Sequence, residues 1–313
     1  NAVSTANSDP WIVEHHDQLR RMEPRVLVLN FSNDTAPRQA SALANALVAA
    51  ARESTRWHGY ANPAAPAFIE YKLAKIVDLR DVPPVATCDG NSTKFPRVPN
   101  WSSGNNFVYA ELYGDAFAEY YGYADPESPG RFLTLAELVE KGTIHELWFF
   151  ANHGECGAPY ETIELKQYYD EQFRKRPGGM HSGYGPAGNG HDFGMPWIGR
   201  SFRITFINPH RGIGCATENF GHALEGMRNY NAIPYYTRYF GEFAGFDLRE
   251  RYGLPFGSFY SLGGGDSNEY PVPTRLVSHW RGADYAVEDY AAMGGNVHFT
   301  PNGRGHYDLT NPA

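Results

Sequence analysis

The sequence predicts an α/β protein with a mixed, mostly parallel sheet that is flanked by helices. Before Arg228, short apolar runs alternate with segments whose apolar residues have helical spacing. The apolar runs are almost continuous, which is typical of parallel strands that are buried on both faces. After Arg228 the pattern changes, because aromatic residues, prolines and glycines dominate and indicate a long, loop-rich, aromatic-rich C-terminal excursion.

Four runs are the predicted strands of this sheet. They cover residues 25–31, 69–77, 145–150 and 202–207. The predicted helices are an alanine-rich helix over 39–52, a short helix over 133–141 that ends at Gly142, and a helix for which Thr217 is the N-cap. The segment 177–195 holds seven glycines and is predicted to be a long loop.

Length and composition predict one elaborated domain over residues 1–313, with residues 1–22 as an N-terminal tail and lead-in. Hydrophobic residues make up 42% of the chain and charged residues 20%, which indicates a globular protein. The formal net charge of −8 argues against a basic surface, so no nucleic-acid partner is expected. No apolar stretch has the length of a membrane span. The chain begins with a polar run at Asn1, from which a secreted, extracellular protein with its signal peptide removed is expected.

The most informative stretch follows the strand at 202–207. If a helix begins at Thr217, then Glu218, His222 and Glu225 stand at positions i, i+4 and i+7 and share one face. Such a face could bind a metal, carry out acid–base chemistry, hold a hydrogen-bond network, or simply be solvated. Gly221 and Gly226 are poor helix formers, and a solvated face has little need of them, so a closely packed helix is favoured.

Other chemical groups follow the strand at 145–150. Cys215 with His153 as its base would resemble a cysteine peptidase, but Cys215 is instead predicted to form a disulfide with Cys156. Glu161 with Glu218 or Glu225 could be the paired carboxylates of a glycosidase. The chain is 15% aromatic, and this excess suits a sugar-binding cleft. His222 and Glu225, joined by His153 or His298, would be ligands acceptable to zinc, although the chain has no HExxH motif.

Three blocks of sequence resemble a widespread, largely uncharacterised family of secreted bacterial and fungal α/β proteins. The first block is Glu146-Leu147-Trp148 with the loop 157–161, the second is 208–214 with Glu218 and the segment 221–225, and the third is 295–302 followed by Tyr307-Asp308. Two positions depart from the family pattern, because Ala223 replaces an arginine and Cys215 replaces an acidic residue. The resemblance implies one convergent cluster formed by Glu161, Arg211, Glu218, His222, Glu225, Asn296, His298 and Asn302, but it implies no particular reaction.

These observations lead to the hypothesis of an extracellular hydrolase that acts most readily on a carbohydrate, with a polysaccharide or another extracellular molecule as substrate and no required cofactor. The expected catalytic residues are Glu161, Glu218, His222 and Glu225, with Glu161 and Glu225 as the acid–base pair. The expected substrate-binding residues are Trp148, His153, Arg211, Asn296, His298 and Asn302. One alternative is a metal-dependent hydrolase that uses His222 and Glu225 with a divalent metal. The other is a non-catalytic protein that binds carbohydrate or cell wall.

Overall fold

The fold is built around a six-stranded mixed sheet, which confirms the predicted α/β class. The computed structural model describes residues 21–32, 35–56, 64–80, 107–152, 159–177, 183–192, 194–291, 293–300 and 303–305. The strands are β1 (Arg25–Asn30), β2 (Lys72–Asp78), β3 (Glu146–Phe150), β4 (Thr162–Gln167), β5 (Tyr184–Pro186) and β6 (Phe202–Ile207). They lie in the order β2-β1-β3-β6-β4-β5. The first four in this order are parallel, and β4 runs antiparallel to both β6 and β5.

Helices cover both faces of the sheet because successive strand residues point to opposite sides. The helices are α1 (Pro37–Ser54), α2 (Asp115–Tyr121), α3 (Leu135–Glu140), α4 (Gly212–Asn229), α5 (Pro234–Ala244) and α6 (Leu248–Tyr252). On one face, Val26 and Val28 pack with residues of α1 and α4. On the other face, Leu27 and Leu29 pack with residues of α2 and α3. Burial of each of these side chains stabilises the folded state by about 1.5–3 kcal/mol.

The C-terminal region contains more regular structure than the sequence indicated. Besides α5 and α6 it forms a separate antiparallel sheet of β7 (Ser267–Val272), β8 (Arg275–Trp280) and β9 (Ala283–Val287). This sheet shares a hydrophobic cluster with Phe256, Phe259 and Phe299. The aromatic residues of this region therefore form a core of their own. No helix of the described residues has the length and apolar character needed to cross a membrane.

Two local predictions were wrong. Helix α4 begins at Gly212 and not after Thr217, whose hydroxyl lies inside the helix and bonds to the carbonyl oxygens of Ile213 and Gly214. The positive φ of 65° at Gly212 lets the chain enter the helix directly from the preceding turn, so the glycine that suggested a loop is part of the helix start. The segment 177–195 also contains β5, which pairs with β4 at the edge of the sheet.

A row of charged side chains lies near the amino ends of the parallel strands. Arg203 Nε is 3.0 Å from Glu164 Oε2, and an Nη atom of Arg203 is 3.9 Å from Glu146 Oε1. Burial opposes ionisation of Glu164, but the charges of Arg203 and Lys166 outweigh it and hold the pKa of this carboxyl below its ordinary value. These groups line a cavity of about 440 Å³. The predicted catalytic residues lie at the other end of the strands.

Candidate functional site

Helix α4 presents Glu218, His222 and Glu225 on one face, as the i, i+4, i+7 spacing predicted. His222 is at the centre of this group. Its Nδ1 is 2.8 Å from Glu225 Oε2, and its Nε2 is 3.9 Å from Glu218 Oε1. The two ring nitrogens therefore face two different carboxylates, and both carboxylates belong to buried residues.

Glu161 reaches the same group from the edge of the sheet. It directly precedes β4, and its carbonyl oxygen accepts a hydrogen bond of 3.0 Å from the backbone of Phe206 near the carboxyl end of β6. Its Oε2 lies 3.9 Å from His222 Nε2 and accepts a hydrogen bond from the side chain of Asn189. The site is thus at the carboxyl ends of the parallel strands, where α/β sheets commonly place function.

His298 comes to the group from the C-terminal region. Its Nε2 is 3.9 Å from Glu218 Oε1, and its ring centroid is 5.2 Å from that of His222. The backbone N–H of His298 donates to Asn296 Oδ1 over 3.1 Å, while the Asn296 amide donates to the carbonyl of Ala244 over 3.0 Å. The amide nitrogen and the carbonyl oxygen of the Asn296 side chain therefore both hold the turn that carries His298. The substrate-binding role predicted for Asn296 does not fit this arrangement.

Three of these side chains could together hold a metal ion. Ligand atoms of Glu218, His222 and His298 all lie within 4.8 Å of one another. Two atoms that bind one tetrahedral zinc ion at its usual bond lengths are about 3.4 Å apart. The two measured separations of 3.9 Å from Glu218 Oε1 need only a small contraction to reach that value. Two imidazoles and one carboxylate form a donor set that suits a divalent transition metal.

Glu225 stands behind His222 and not among the ligand atoms. It accepts the Nδ1–H of His222, so neutral His222 presents its Nε2 lone pair towards Glu218. The hydroxyl of Tyr260 donates to the two oxygens of Glu225 over 2.8 and 2.9 Å, and the backbone N–H of Val297 donates over 3.2 Å. A carboxylate that orients a metal-binding histidine in this way is common in metal sites. The catalytic role predicted for Glu225 is therefore not supported.

The surroundings raise the pKa values of both His222 and Tyr260 above their ordinary values when no metal is bound. Burial by itself would lower the pKa of His222, but the hydrogen bond to Glu225 and the charges of Glu161, Glu225 and Glu218 raise it above its ordinary value. Burial, followed by the charge of Glu225, raises the pKa of Tyr260. Tyr260 thus remains a donor to Glu225 at neutral pH.

Two glycines allow helix α4 to approach its neighbours closely. A Cβ atom at Gly221 would stand 2.5 Å from Val297 Cγ2, next to His298. A Cβ atom at Gly226 would collide with the backbone carbonyl of Gly188, next to Asn189. Each glycine therefore allows a segment next to the site to pack directly against α4. This agrees with the closely packed helix expected from the sequence.

Trp148 and Arg211 occupy different surroundings. Trp148 is 0% exposed and packs against Phe220, while its indole N–H donates to Glu146 over 3.2 Å. The substrate-binding role predicted for Trp148 is wrong, because the side chain belongs to the core under α4. Arg211 is half-buried at the N-terminus of α4. Its charge and those of Glu161 and Glu218 all act on the Cys215 thiol.

Cys215 is a free, buried thiol. The predicted disulfide with Cys156 is therefore wrong for Cys215, while Cys156 itself lies outside the described residues. Burial is the main reason that the pKa of the Cys215 thiol is raised, so the reactive thiolate is disfavoured and a nucleophilic role is not supported. The predicted site residues His153 and Asn302 also lie outside the described residues.

Sequence reasoning missed Tyr260 and Asn189, which hold Glu225 and Glu161 in place. Tyr260 lies 35 residues beyond Glu225 among many other aromatic residues, and no spacing marks it. Asn189 lies in the glycine-rich segment that was predicted to be a loop. Comparison of the sequence with protein-family models and with curated proteins found no match. The family resemblance inferred from the sequence stays a prediction.

Proposed function

We propose that the protein is a metal-dependent hydrolase whose divalent metal ion is bound by Glu218, His222 and His298. The observation that carries this proposal is the convergence of one carboxylate oxygen and two imidazole nitrogens within 4.8 Å. The hydrogen bond from His222 Nδ1 to Glu225 supports it, because this bond directs the lone pair of Nε2 towards the other two ligand atoms.

Three protein ligands are typical of catalytic zinc sites, whereas structural sites commonly have four. A fourth coordination position then remains for water or substrate. A metal bound there would lower the pKa of its water and polarise the bond to be broken. This differs from the metal site expected from the sequence, because Glu225 orients a ligand here and Glu218 binds the metal in its place.

A glycosidase that uses Glu161 and Glu225 as its carboxylate pair fits the geometry less well. The oxygens of Glu225 already accept hydrogen bonds from Tyr260, Val297 and His222, and the residue is only 6% exposed. A general acid must give its proton to the substrate. A carboxylate whose oxygens are surrounded by protein donors cannot reach a substrate. The buried network alone would also suit the non-catalytic binding protein, so metal binding distinguishes these proposals.

A polysaccharide remains the proposed substrate. Tyr239 and Phe243 are 41% and 57% exposed and stand one turn apart on α5, where they present aromatic surface on one face. Aromatic rings of this kind suit contact with sugars. This part of the proposal is tested by incubating polysaccharides and their acylated forms with the protein, with and without metal, and measuring released products.

The metal proposal is tested by removing metals with a chelator and titrating the protein with zinc and cobalt(II). We expect one equivalent to bind to the wild type. The substitution His298→Ala removes one ligand and is expected to weaken binding at least 100-fold. The matched control is His279→Ala, which changes a histidine on β8 that pairs with Asp284 and Glu269 outside the site.

Equal metal affinity in the wild type and in folded His298→Ala would contradict the proposed ligand set. Circular dichroism and thermal unfolding of each variant establish that it is folded. If the wild type binds neither metal, the proposal of a metal-dependent enzyme is wrong and the non-catalytic binding protein becomes the better interpretation.

A further inference from the structure

Glu161 differs from the other two glutamates of the site by its exposure. Its side chain is 32% exposed, whereas the side chains of Glu218 and Glu225 are 6% and 8% exposed. Within the described part of the chain, the one hydrogen bond to its carboxylate comes from Asn189. Glu161 can therefore meet a substrate or a water molecule without breaking a buried network.

Glu161 lies beside the candidate metal site but outside its ligand group. Its Oε2 is 3.9 Å from His222 Nε2, which is the ligand nitrogen. The group of described residues whose ligand atoms all lie within 4.8 Å of one another nevertheless contains only Glu218, His222 and His298. Two atoms bonded to the same metal ion can be at most about 4.3 Å apart. The carboxylate is thus too far from at least one of the other two ligand atoms to share their ion in this arrangement, but it lies directly beside the ligand group.

The position of Glu161 is set from two sides. Its backbone carbonyl is held by Phe206 at the sheet edge, and its side chain is held by Asn189. Asn189 is held in turn, because its backbone N–H donates to the hydroxyl of Thr162 over 2.8 Å. The adjacent Gly188 lies against Gly226 of α4. The carboxylate and the helix that carries two ligands are therefore parts of one packed unit.

We infer that Glu161 is the general base that takes a proton from metal-bound water, and that the substrate is an ester or amide with an acyl carbon open to attack. This inference rests on the proposed metal site. With a metal ion held by Glu218, His222 and His298 to activate a water molecule, the carboxylate of Glu161 would accept one proton from that water and become a neutral carboxylic acid. The water oxygen would form a bond to the acyl carbon, and Glu161 would return the proton to the leaving alcohol or amine as its bond to the acyl carbon breaks. Charge and atoms balance without a further reactant.

Of the three glutamates that the structure describes at the site, only Glu161 has a carboxylate that is open to solvent, and this favours an acyl substrate. Cleavage of a glycosidic bond commonly needs two carboxyl groups on opposite sides of that bond. Attack by metal-bound hydroxide on a carbonyl needs one base and one metal, as in zinc peptidases in which a glutamate stands beside two histidine ligands. On a polysaccharide, the corresponding bonds are those of O-acyl or N-acyl substituents.

The decisive experiment compares cobalt(II)-loaded wild type, Glu161→Gln and the control Glu119→Gln, which changes an exposed glutamate on α2. The visible spectrum of each is followed against pH, because it reports ionisation of the metal-bound water without any substrate. A nearby negative charge disfavours hydroxide, so Glu161→Gln is expected to lower the apparent pKa of this water by about one unit. Cobalt(II) affinity is expected to change by less than about 10-fold, and the control is expected to match the wild type.

The second measurement is hydrolysis of 4-nitrophenyl acetate by the zinc-loaded proteins. Loss of a general base is expected to lower the rate of Glu161→Gln by about 10²–10⁴-fold. An unshifted spectral titration, or loss of cobalt(II) binding in Glu161→Gln, would overturn the role as base, and an unchanged rate would do the same. No turnover by the zinc-loaded wild type would overturn the acyl substrate. Failure of the wild type to bind cobalt(II) would instead remove the metal site and this inference together.

Discussion

At the scale of single residues, hydrogen bonding separates three glutamates that look alike in the sequence. Glu225 is surrounded by donors from Tyr260, Val297 and His222. Glu218 faces two imidazoles, and Glu161 is the most exposed of the three. The same side chain can therefore orient a ligand, bind a metal or accept a proton, and its neighbours decide which.

Tyr260 tests the role of Glu225 as an orienting group. The substitution Tyr260→Phe keeps the edge-to-face contact of the ring with His298 but removes the hydroxyl that donates to both oxygens of Glu225. Losing a hydrogen bond to a buried charge is expected to lower the free energy of unfolding by about 1.5–3 kcal/mol. The affinity for zinc is expected to fall about 10–100-fold because His222 is less well held.

Chemical denaturation and metal titration of one preparation measure both effects. The control is Tyr239→Phe, which removes an exposed hydroxyl on α5. If Tyr260→Phe loses stability but binds zinc as tightly as the wild type, then Glu225 is a structural group and does not orient His222.

At the scale of elements, α4 carries two of the proposed metal ligands and has glycine at two positions where it packs closely against its neighbours. Glycine normally destabilises a helix by about 1 kcal/mol relative to alanine. Here Gly221 allows contact with Val297, and Gly226 allows contact with the backbone at Gly188. The helix thus loses some intrinsic stability, but its neighbours bring His298 and Glu161 within reach of His222.

Gly221→Ala tests this arrangement without changing a ligand. The new Cβ would stand 2.5 Å from Val297 Cγ2, so the side chain of Val297, which directly precedes His298, must shift. We expect zinc affinity to fall about 10–100-fold, as when a group that orients a ligand is altered. The control is Gly241→Ala in α5, where the nearest atom is Arg228 Nε at 3.7 Å and the added methyl group fits.

Calorimetric titration of both variants with zinc measures the difference. The control should keep the wild-type affinity and gain a little helix stability. A Gly221→Ala protein that binds zinc as well as the control would show that the close approach of Val297 does not set the position of His298.

At the scale of the whole molecule, the candidate metal site joins parts of the chain that have separate cores. Glu161 belongs to the edge of the large sheet, whereas Tyr260 and His298 belong to the C-terminal region whose hydrophobic cluster is distinct. A metal bound to Glu218, His222 and His298 would connect α4 to this region. Metal binding is therefore expected to stabilise the fold as a whole.

The pH dependence of this stabilisation has a definite sign. In the metal-free protein, Glu161, Glu218 and Glu225 face His222, and its pKa is raised above 6.5. The stability from protonated His222 is fully present below the unfolded pKa and is lost as the pH rises through the folded pKa. Metal binds neutral imidazole, so its contribution to stability grows as the pH rises.

Thermal unfolding with and without zinc at pH 6 and pH 8 measures this contribution. A fixed zinc concentration of about 100 times the dissociation constant at pH 8 adds about 2.7 kcal/mol at that pH, which corresponds to a rise in Tm of about 4 °C for a chain of this size. The rise is expected to be larger at pH 8 than at pH 6 and to be absent in His222→Gln. An equal rise at both pH values, or one that persists in this variant, would contradict binding of the metal by His222.

The sequence by itself determined the features that depend on local periodicity. Apolar runs predicted the central strands β1, β3 and β6, because buried parallel strands need apolar residues on both faces. The spacing of Glu218, His222 and Glu225 predicted one helix face even though the start of α4 was misplaced, since 3.6 residues per turn hold along the whole helix.

Only the tertiary structure decided which distant groups meet this face and what each of them does. Trp148 looked like a sugar-binding residue but is buried in the core, and Tyr260 had no recognisable spacing but holds Glu225. The sequence pattern predicts which residues share one face of a single helix or strand. Contacts between elements depend instead on strand order and on close approaches such as that of Gly221 to Val297, which arise when the elements pack together.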